Sequence, residues 1–324
     1  DKRGDEPGPD QQRSAVEALV PLIAEDPTGT HIHTGFLLAT LQWWMWHPHE
    51  SIVGGSVPQA DGASVLGIYD WIISLLVGRA VTDISSAAAW AMYDPIRREW
   101  RHAALRQVGI PEGWLPEVHE PGGVVGVVCD AAAIALGFPM SHVRVHAPIG
   151  DTQASYLGAG CTREDLLLNF GTGSQSLWET PVPIASEGTD IRYLQNGRWL
   201  AAAPTLAGGE AYRILAGFFR DVSVELTDTE VDLDRLYETI DRLALEASSE
   251  GLVFDPIFAG SKFGGRGRER ASLRGIDRTN FRPGPVARAL LEGMIAEVAA
   301  PFFAREGALG TRRLVGGGSG MRRN

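Results

Sequence analysis

Residues 150–179 read GDTQASYLGAGCTREDLLLNFGTGSQSLWE, placing an acidic side chain, Asp151, at an expected helix start and Gly171-Thr172-Gly173 between two short apolar runs. Residues 166–170 and 174–178 have the pattern of paired strands, so the triplet between them is expected to be a tight turn. Its backbone N–H groups and one hydroxyl would be free to hold an anion, phosphate above all. Asp151 follows a strand expected over residues 142–147 and opens a helix expected over residues 152–158. A carboxylate there can serve as an N-cap, worth about 1 kcal/mol. It also points toward the edge of an α/β sheet where ligands bind, and the two tasks are compatible. Gly316-Gly317-Gly318-Ser319 forms a second glycine turn after an expected strand. Each triplet alone is a common loop; their joint occurrence downstream of Gly150-Asp151 is what carries information.

Other chemistries are less well supplied. Lys2 and Lys262 are the only lysines beside 27 arginines, and neither lies in a GxxxxGK[ST] loop or a VAIK-like strand. Walker-type and protein-kinase nucleotide sites are therefore excluded, and any ATP must be held largely by glycine backbone and hydroxyls. A net charge of -11 argues against nucleic acid as a partner. No apolar run approaches the roughly 18 residues of a membrane span. Cys129 and Cys161 are the only thiols, with no secretory signal, so a cytoplasmic setting is expected. His31-x-His33 and His47-x-His49 lack a third ligand at recognisable spacing, and no metal site is expected from them. The run GGRGRER at residues 264–270 reads as an exposed charged loop.

Two domains are the simplest reading of 324 residues. Helical spacing is expected over residues 11–25, 35–47, 209–219, 231–248 and 282–305, the last opened by Pro283 and Pro285. Strands are expected over residues 124–128, 198–203, 251–257 and 311–315. Trp43, Trp44 and Trp46 cannot all share one face of a helix, so the segment is expected to be buried on most of its circumference, with a ligand platform as the other reading. The domain boundary is expected after residue 146, where the pattern changes to strand, glycine turn, strand, helix.

This assembly resembles the FGGY carbohydrate kinases, the sedoheptulokinase-like members most of all. Asp1-Lys2-Arg3 resembles the tail of a W-x-D-x-R sugar-contact motif, and Thr34-Gly35-Phe36 with Ala39, Thr40 and Trp43 resembles the following helix. Thr82-Asp83-Ile84-Ser85-Ser86-Ala87-Ala88, then Tyr93, Asp94 and Trp100, matches the TD-x-S-x-A…D…W segment. Gly150-Asp151-x-Gln153-Ala154 matches the catalytic-acid segment, Gly171-Thr172-Gly173 the second phosphate hairpin, Gly208-Gly209 the helix start beside the nucleotide, and Gly317-Gly318-Ser319 with Asn324 the adenosine loop. Residues 271–292 fit the carboxy-terminal signature, departing from it at Pro285.

The resemblance implies an actin-like, ribonuclease-H-like two-domain α/β fold: a sugar-binding domain over residues 1–146 and an ATP-binding domain over residues 147–324, with the sugar held between them. It implies transfer of the γ-phosphoryl group of Mg-ATP, with Mg²⁺ as cofactor, to a ketose or polyol, sedoheptulose being the first choice. Asp151 would be the base. Asp1, Arg3, Asp83 and Gln153 would contact the sugar. Gly171, Thr172, Gly173, Gly209, Gly317, Gly318, Ser319 and Asn324 would hold the nucleotide. A homodimer is carried as the expected assembly. The family's opening D-x-G-[ST] hairpin does not precede Asp1, so the chain is expected to be an internal stretch of a longer kinase. The competing expectation is a non-catalytic sugar- or partner-binding module using the Trp43–Trp46 region.

Overall fold

The computed structural model describes residues 3–9, 13–24, 26–47, 63–137, 142–171, 173–261, 269–318 and 320. The chain divides into two units. Unit 1 comprises Asp1–Ser155, Thr180–Ile184 and Ile191–Leu200; unit 2 comprises Tyr156–Glu179, Ala185–Asp190 and Ala201–Asn324. The division is discontinuous and falls later than residue 146.

Unit 1 begins with a 3-10 turn (Arg3–Asp5) followed by α1 (Ala15–Ile23) and α2 (Leu37–Trp46). A capping box starts α1: Glu17 N donates to Ser14 Oγ at 3.2 Å and Ser14 N donates to Glu17 Oε2 at 2.8 Å, satisfying two orphan helix donors. Then come α3 (Ile68–Val77), β1 (Val81–Asp83), α4 (Ile84–Ala89), β2 (Tyr93–Asp94), β3 (Glu99–Trp100), α5 (His102–Val108), β4 (Glu117–His119), β5 (Val124–Val127), α6 (Asp130–Leu136) and β6 (Arg144–His146). The strand β1 runs parallel to β4, pairing Asp83 with His119, while β5 and β6 pair antiparallel across a bulge at Gly126. Leu19, Leu38, Trp90, Met92, Leu105 and Tyr193 belong to the larger core. Each such side chain contributes roughly 1.5–3 kcal/mol on burial. Trp43 is buried while Trp44 and Trp46 are half-buried, as a helix covered on most sides requires.

The helix α7 (Asp151–Gly158) starts in unit 1 and ends in unit 2. Beyond it lie β7 (Asp165–Phe170), β8 (Ser174–Thr180), β9 (Asp190–Tyr193), β10 (Trp199–Thr205), α8 (Gly209–Thr227), α9 (Leu233–Glu246), β11 (Val253–Asp255), β12 (Ser272–Arg274), α10 (Pro283–Glu306) and β13 (Arg313–Gly317). The five-stranded sheet has the order β13-β7-β8-β10-β9. Its β7 is antiparallel to β8, Phe170 facing Ser174, and parallel to β13, Asn169 facing Gly317. Leu166, Leu167 and Leu168 are all buried, the near-continuous apolar run of a strand covered on both faces. Trp178 packs edge-on against Phe302 of α10 and donates to Glu306 Oε1 at 3.1 Å, tying helix to sheet. At Gly293 of α10 an added Cβ would lie 2.0 Å from Phe254 O of β11, so only glycine permits that approach.

The chain places Asp151 at the strand-to-helix turn after β6, in unit 1, and the glycine triplet at the β7–β8 turn, in unit 2.

Candidate active site

In unit 1, Asp151 is the first residue of α7 and exposed. Ala154 N donates to Gly150 O at 2.8 Å, so Gly150 holds the cap position. Among the described residues, the carboxylate of Asp151 accepts only from its own neighbour, Thr152, at 2.6 Å from the amide and 3.3 Å from the hydroxyl. The N-cap reading of Asp151 is thus corrected by one position. Its carboxylate stands in the first turn of the helix.

The residues around Asp151 are pinned from three directions. Gly150 N donates to Ser85 Oγ at 2.9 Å. Arg192 Nη1 donates to Thr152 Oγ1 at 2.8 Å, and Gln153 Nε2 donates to Tyr193 O at 3.0 Å. Tyr193 is itself fixed: its hydroxyl donates to Glu120 at 2.9 Å and accepts from Arg98 Nη2 at 2.6 Å and from Gly197 N at 2.9 Å. Burial works against the charge of Glu120, yet the bonds from Tyr193, Asn196 and Arg98 hold its carboxyl below the usual range.

Asp83 has a different task from the one the sequence suggested. It is fully buried at the N-cap of α4, where it accepts from Ser85 N at 2.7 Å and Ser86 N at 3.3 Å, and from both serine hydroxyls. Its acceptor capacity is used by the cap, so in this structure it supports Ser85 and, through it, Gly150. Gln153 is likewise buried, with its amide given to Tyr193. Arg3 lies with its guanidinium 4.3 Å from the centre of the Trp43 ring, and Trp43 Nε1 donates to Glu6 Oε2 at 3.0 Å. His47 stacks on Trp43 at 4.4 Å. That buried stack leaves Trp43 no open face for a ligand, which removes it from the platform reading. Asp1 lies outside the described residues.

In unit 2 the glycines of three separate segments meet at the end of β7. Gly171 N donates to Gly173 O at 3.0 Å, closing the turn, and Gly209 N donates to Gly171 O at 2.8 Å, docking the start of α8 on it. Gly318, at φ +90°, sits so close to β7 that a Cβ would lie 2.2 Å from Phe170 O. Gly317 pairs with Asn169 in register. Gly171, Gly173, Gly209, Gly317 and Gly318 are thus brought together, while Thr172, Ser319 and Asn324 lie outside the described residues.

A polar atom at this turn was missed in the sequence. Ser174 Oγ is buried and has no hydrogen-bond partner among the described residues. An orphan hydroxyl of that kind costs about 1–3 kcal/mol unless a ligand or water meets it. Together with backbone free of side chains and the uncapped N-terminus of α8 at Gly208, it fits a group rich in acceptor oxygens such as phosphate. The signal in the sequence was its adjacency to Gly173.

Residues 23–158 match the N-terminal domain of the FGGY family of carbohydrate kinases. This stretch is similar to that domain. Human sedoheptulokinase is 26% identical over 309 residues, covering 90% of this chain and 60% of its own length. Glycerol kinase of Halobacterium salinarum (strain ATCC 29341 / DSM 671 / R1) is 29% identical over 274 residues, 80% of this chain and 50% of its own. The crystal structure of xylulose kinase from Rhodospirillum rubrum superposes with a TM-score of 0.75 at 25% identity, over 97% of this chain and 62% of that one. Plasmodium falciparum glycerol kinase with ADP gives 0.70 at 17% identity, over 97% and 62%. The fold is the actin-like α/β fold of these kinases. The chain spans about three-fifths of the length of the sedoheptulokinase it matches.

Proposed function

We propose that this chain carries the acceptor-activating and phosphate-holding parts of an ATP-dependent carbohydrate kinase, acting on a ketose or polyol, with sedoheptulose as the first substrate to try. The observation that carries the reading is the meeting of Gly171, Gly173, Gly209 and Gly318 around Phe170, beside the orphan hydroxyl of Ser174. Similarity to sedoheptulokinase, xylulose kinase and glycerol kinases supports the reaction class.

Phosphoryl transfer depends on positioning and charge stabilisation more than on covalent help. Asp151 would accept the proton of the acceptor hydroxyl as its oxygen bonds to the γ-phosphorus, the bond to the β–γ bridging oxygen breaks, and ADP leaves. The backbone amide of Gly173, Thr172, Ser174 and the N-terminus of α8 would hold the β- and γ-phosphates in the turn shaped by Gly171, with Gly317, Gly318, Ser319 and Asn324 toward the nucleoside. Bound Mg²⁺ would supply neutralisation of phosphate charge. Arg3, held on Trp43, and Asp1 are the residues proposed for sugar hydroxyls; Gln153 and Asp83 would act by holding Asp151 and its turn in place.

ADP release by the 324-residue chain with Mg-ATP, across sedoheptulose, xylulose, ribulose, ribitol and glycerol, tests the proposal. Release stimulated by one of them is the expected outcome and names the acceptor. A folded sample that binds both Mg-ADP and a sugar without sugar-stimulated release would instead support a binding module.

A further inference from the structure

The inner face of α3 is polar where an ordinary helix is apolar. Its buried residues are Asp70 and Ser74, and both meet β1. Ser74 Oγ is satisfied there, accepting from Val81 N at 3.0 Å. One turn earlier, Asp70 is fully buried; the Thr82 hydroxyl and the Gly67 and Asp70 amides lie near its carboxylate, yet none makes a well-aligned hydrogen bond to either oxygen. Thr82 Oγ1, the next side chain along β1, is also buried and unpartnered. Two polar side chains this close across a helix and a strand with no well-aligned bond between them are rare, because each is costly alone and a small rotation would pair them.

Thr82 also stands directly before Asp83, whose carboxylate caps α4 and holds Ser85. Ser85 Oγ in turn receives the amide of Gly150, next to Asp151. A continuous line of contacts therefore runs from α3 to the turn that carries the candidate base, all within unit 1.

We propose that Asp70 is a positioning residue, which through Thr82 fixes the end of β1 and so the Asp83–Ser85–Gly150 chain beneath Asp151. The groups facing Asp70 are Tyr69 of its own helix and Asp83 of β1, with Ser86 and Trp90 beside Tyr69. None of these is a cation. Burial, with the charge of Asp83 adding to it and the Thr82 hydroxyl and the Gly67 and Asp70 amides pulling the other way, pushes the Asp70 carboxyl up to about 7. In its neutral form Asp70 has both a donor and an acceptor to offer Thr82, whereas the ionised form sets a second negative charge against Asp83. The Gly150 turn is accordingly held firmly below neutrality and more loosely above it.

For catalysis the inference rests on the proposed role of Asp151, but its test does not need turnover. Amide hydrogen exchange of the full chain is followed at Gly150, with the Leu105 amide in the core of α5 as the reference. Corrected for intrinsic rates, protection of Gly150 relative to Leu105 falls about tenfold between about pH 6 and pH 8, as the ionised fraction of Asp70 rises by that factor. Asp70→Asn, neutral at every pH and able to donate and accept, keeps the protection and abolishes its pH dependence. Asp70→Leu loses it at both pH values. An Asp70→Asn protein with the wild-type pH dependence overturns the inference, as does a wild-type protein in which Gly150 and Leu105 lose protection in parallel. Failure of the chain to phosphorylate any sugar leaves these outcomes readable.

Discussion

Asp151 illustrates how little of a residue's role lies in the residue itself. It is exposed, its own carboxylate bonds only to Thr152 among the described residues, and its placement is imposed by neighbours: Ser85 on Gly150, Arg192 on Thr152, Tyr193 on Gln153. Asp83 and Gln153 were named in the sequence through a family resemblance, as expected sugar contacts. Their burial was not, since motif spacing carries no information on which side of the backbone is covered. Asp70 makes a separate and measurable contribution. Its carboxyl is raised in the folded state from an ordinary 3.8 to about 7, so the folded state keeps a proton that the unfolded chain releases above about pH 4. The stability it confers is therefore fully present below about pH 4, is lost as pH rises toward 7, and stays lost above that. Asp70→Asn removes this slope. Thermal or denaturant melts should show the variant more stable than wild type at pH 8, by on the order of 2–4 kcal/mol, with the advantage vanishing near pH 4. Equal pH slopes in the two proteins would show that Asp70 ionises normally.

Among the elements, those with long periodic patterns were readable. The hairpin of β7 and β8, the helices α8, α9 and α10, and the strand β13 entering its glycine turn all lie within a few residues of expectation, except that α8 extends past residue 219 to Thr227. In α9 the buried Leu236, Ile240 and Ala244 recur every four residues, and Asp232 Oδ1 caps the helix by accepting from Arg235 N at 2.8 Å. Unit 1 was harder to read. Its strands span two to four residues, too few for a period of two to register. Moreover, α3 exposes Ile68, Trp71, Ile72 and Leu75 while burying Asp70 and Ser74, an inversion that defeats any pattern argument. The glycines at the end of β7 also differ in what they tolerate. At Gly173 an added Cβ meets only Thr205 O, at an ordinary 3.5 Å; at Gly318 it would collide with Phe170 and Asn169. Gly173→Ala should keep the thermal midpoint and raise the KM for ATP more than that for sugar. Gly318→Val should lower the midpoint by several degrees through overpacking and strain at positive φ. A Gly318→Val protein as stable as wild type would refute the packing described at β13.

Across the molecule, Asp165 of unit 2 and Asp70 of unit 1 respond to pH with opposite signs. In unit 2 the Arg313 guanidinium donates to Asp165 Oδ1 at 2.8 Å and to Oδ2 at 3.0 Å, and Thr162 adds its amide and hydroxyl. That partner, ahead of the opposing effect of burial, holds the Asp165 carboxyl far below the usual range, so its stabilisation is present above about pH 4 and is lost as pH falls further. Unit 1 carries Asp70 and the reverse dependence. The actin-like fold was legible because glycine turns and a first-turn acid occur in a fixed order along the chain. The discontinuous division was not, because the return of residues 180–184 and 191–200 to unit 1 leaves no mark on composition.

Asp151 as the general base of a phosphoryl transfer to an alcohol stands or falls on the steady-state kcat of Asp151→Asn beside wild type. The comparison uses whichever acceptor stimulates ADP release, with circular dichroism confirming the fold. A general base contributes about 10²- to 10⁴-fold, so a loss of that size with the KM for ATP unchanged is expected; near-normal turnover by Asp151→Asn would leave the proton of the acceptor hydroxyl to another group and remove Asp151 from the chemistry.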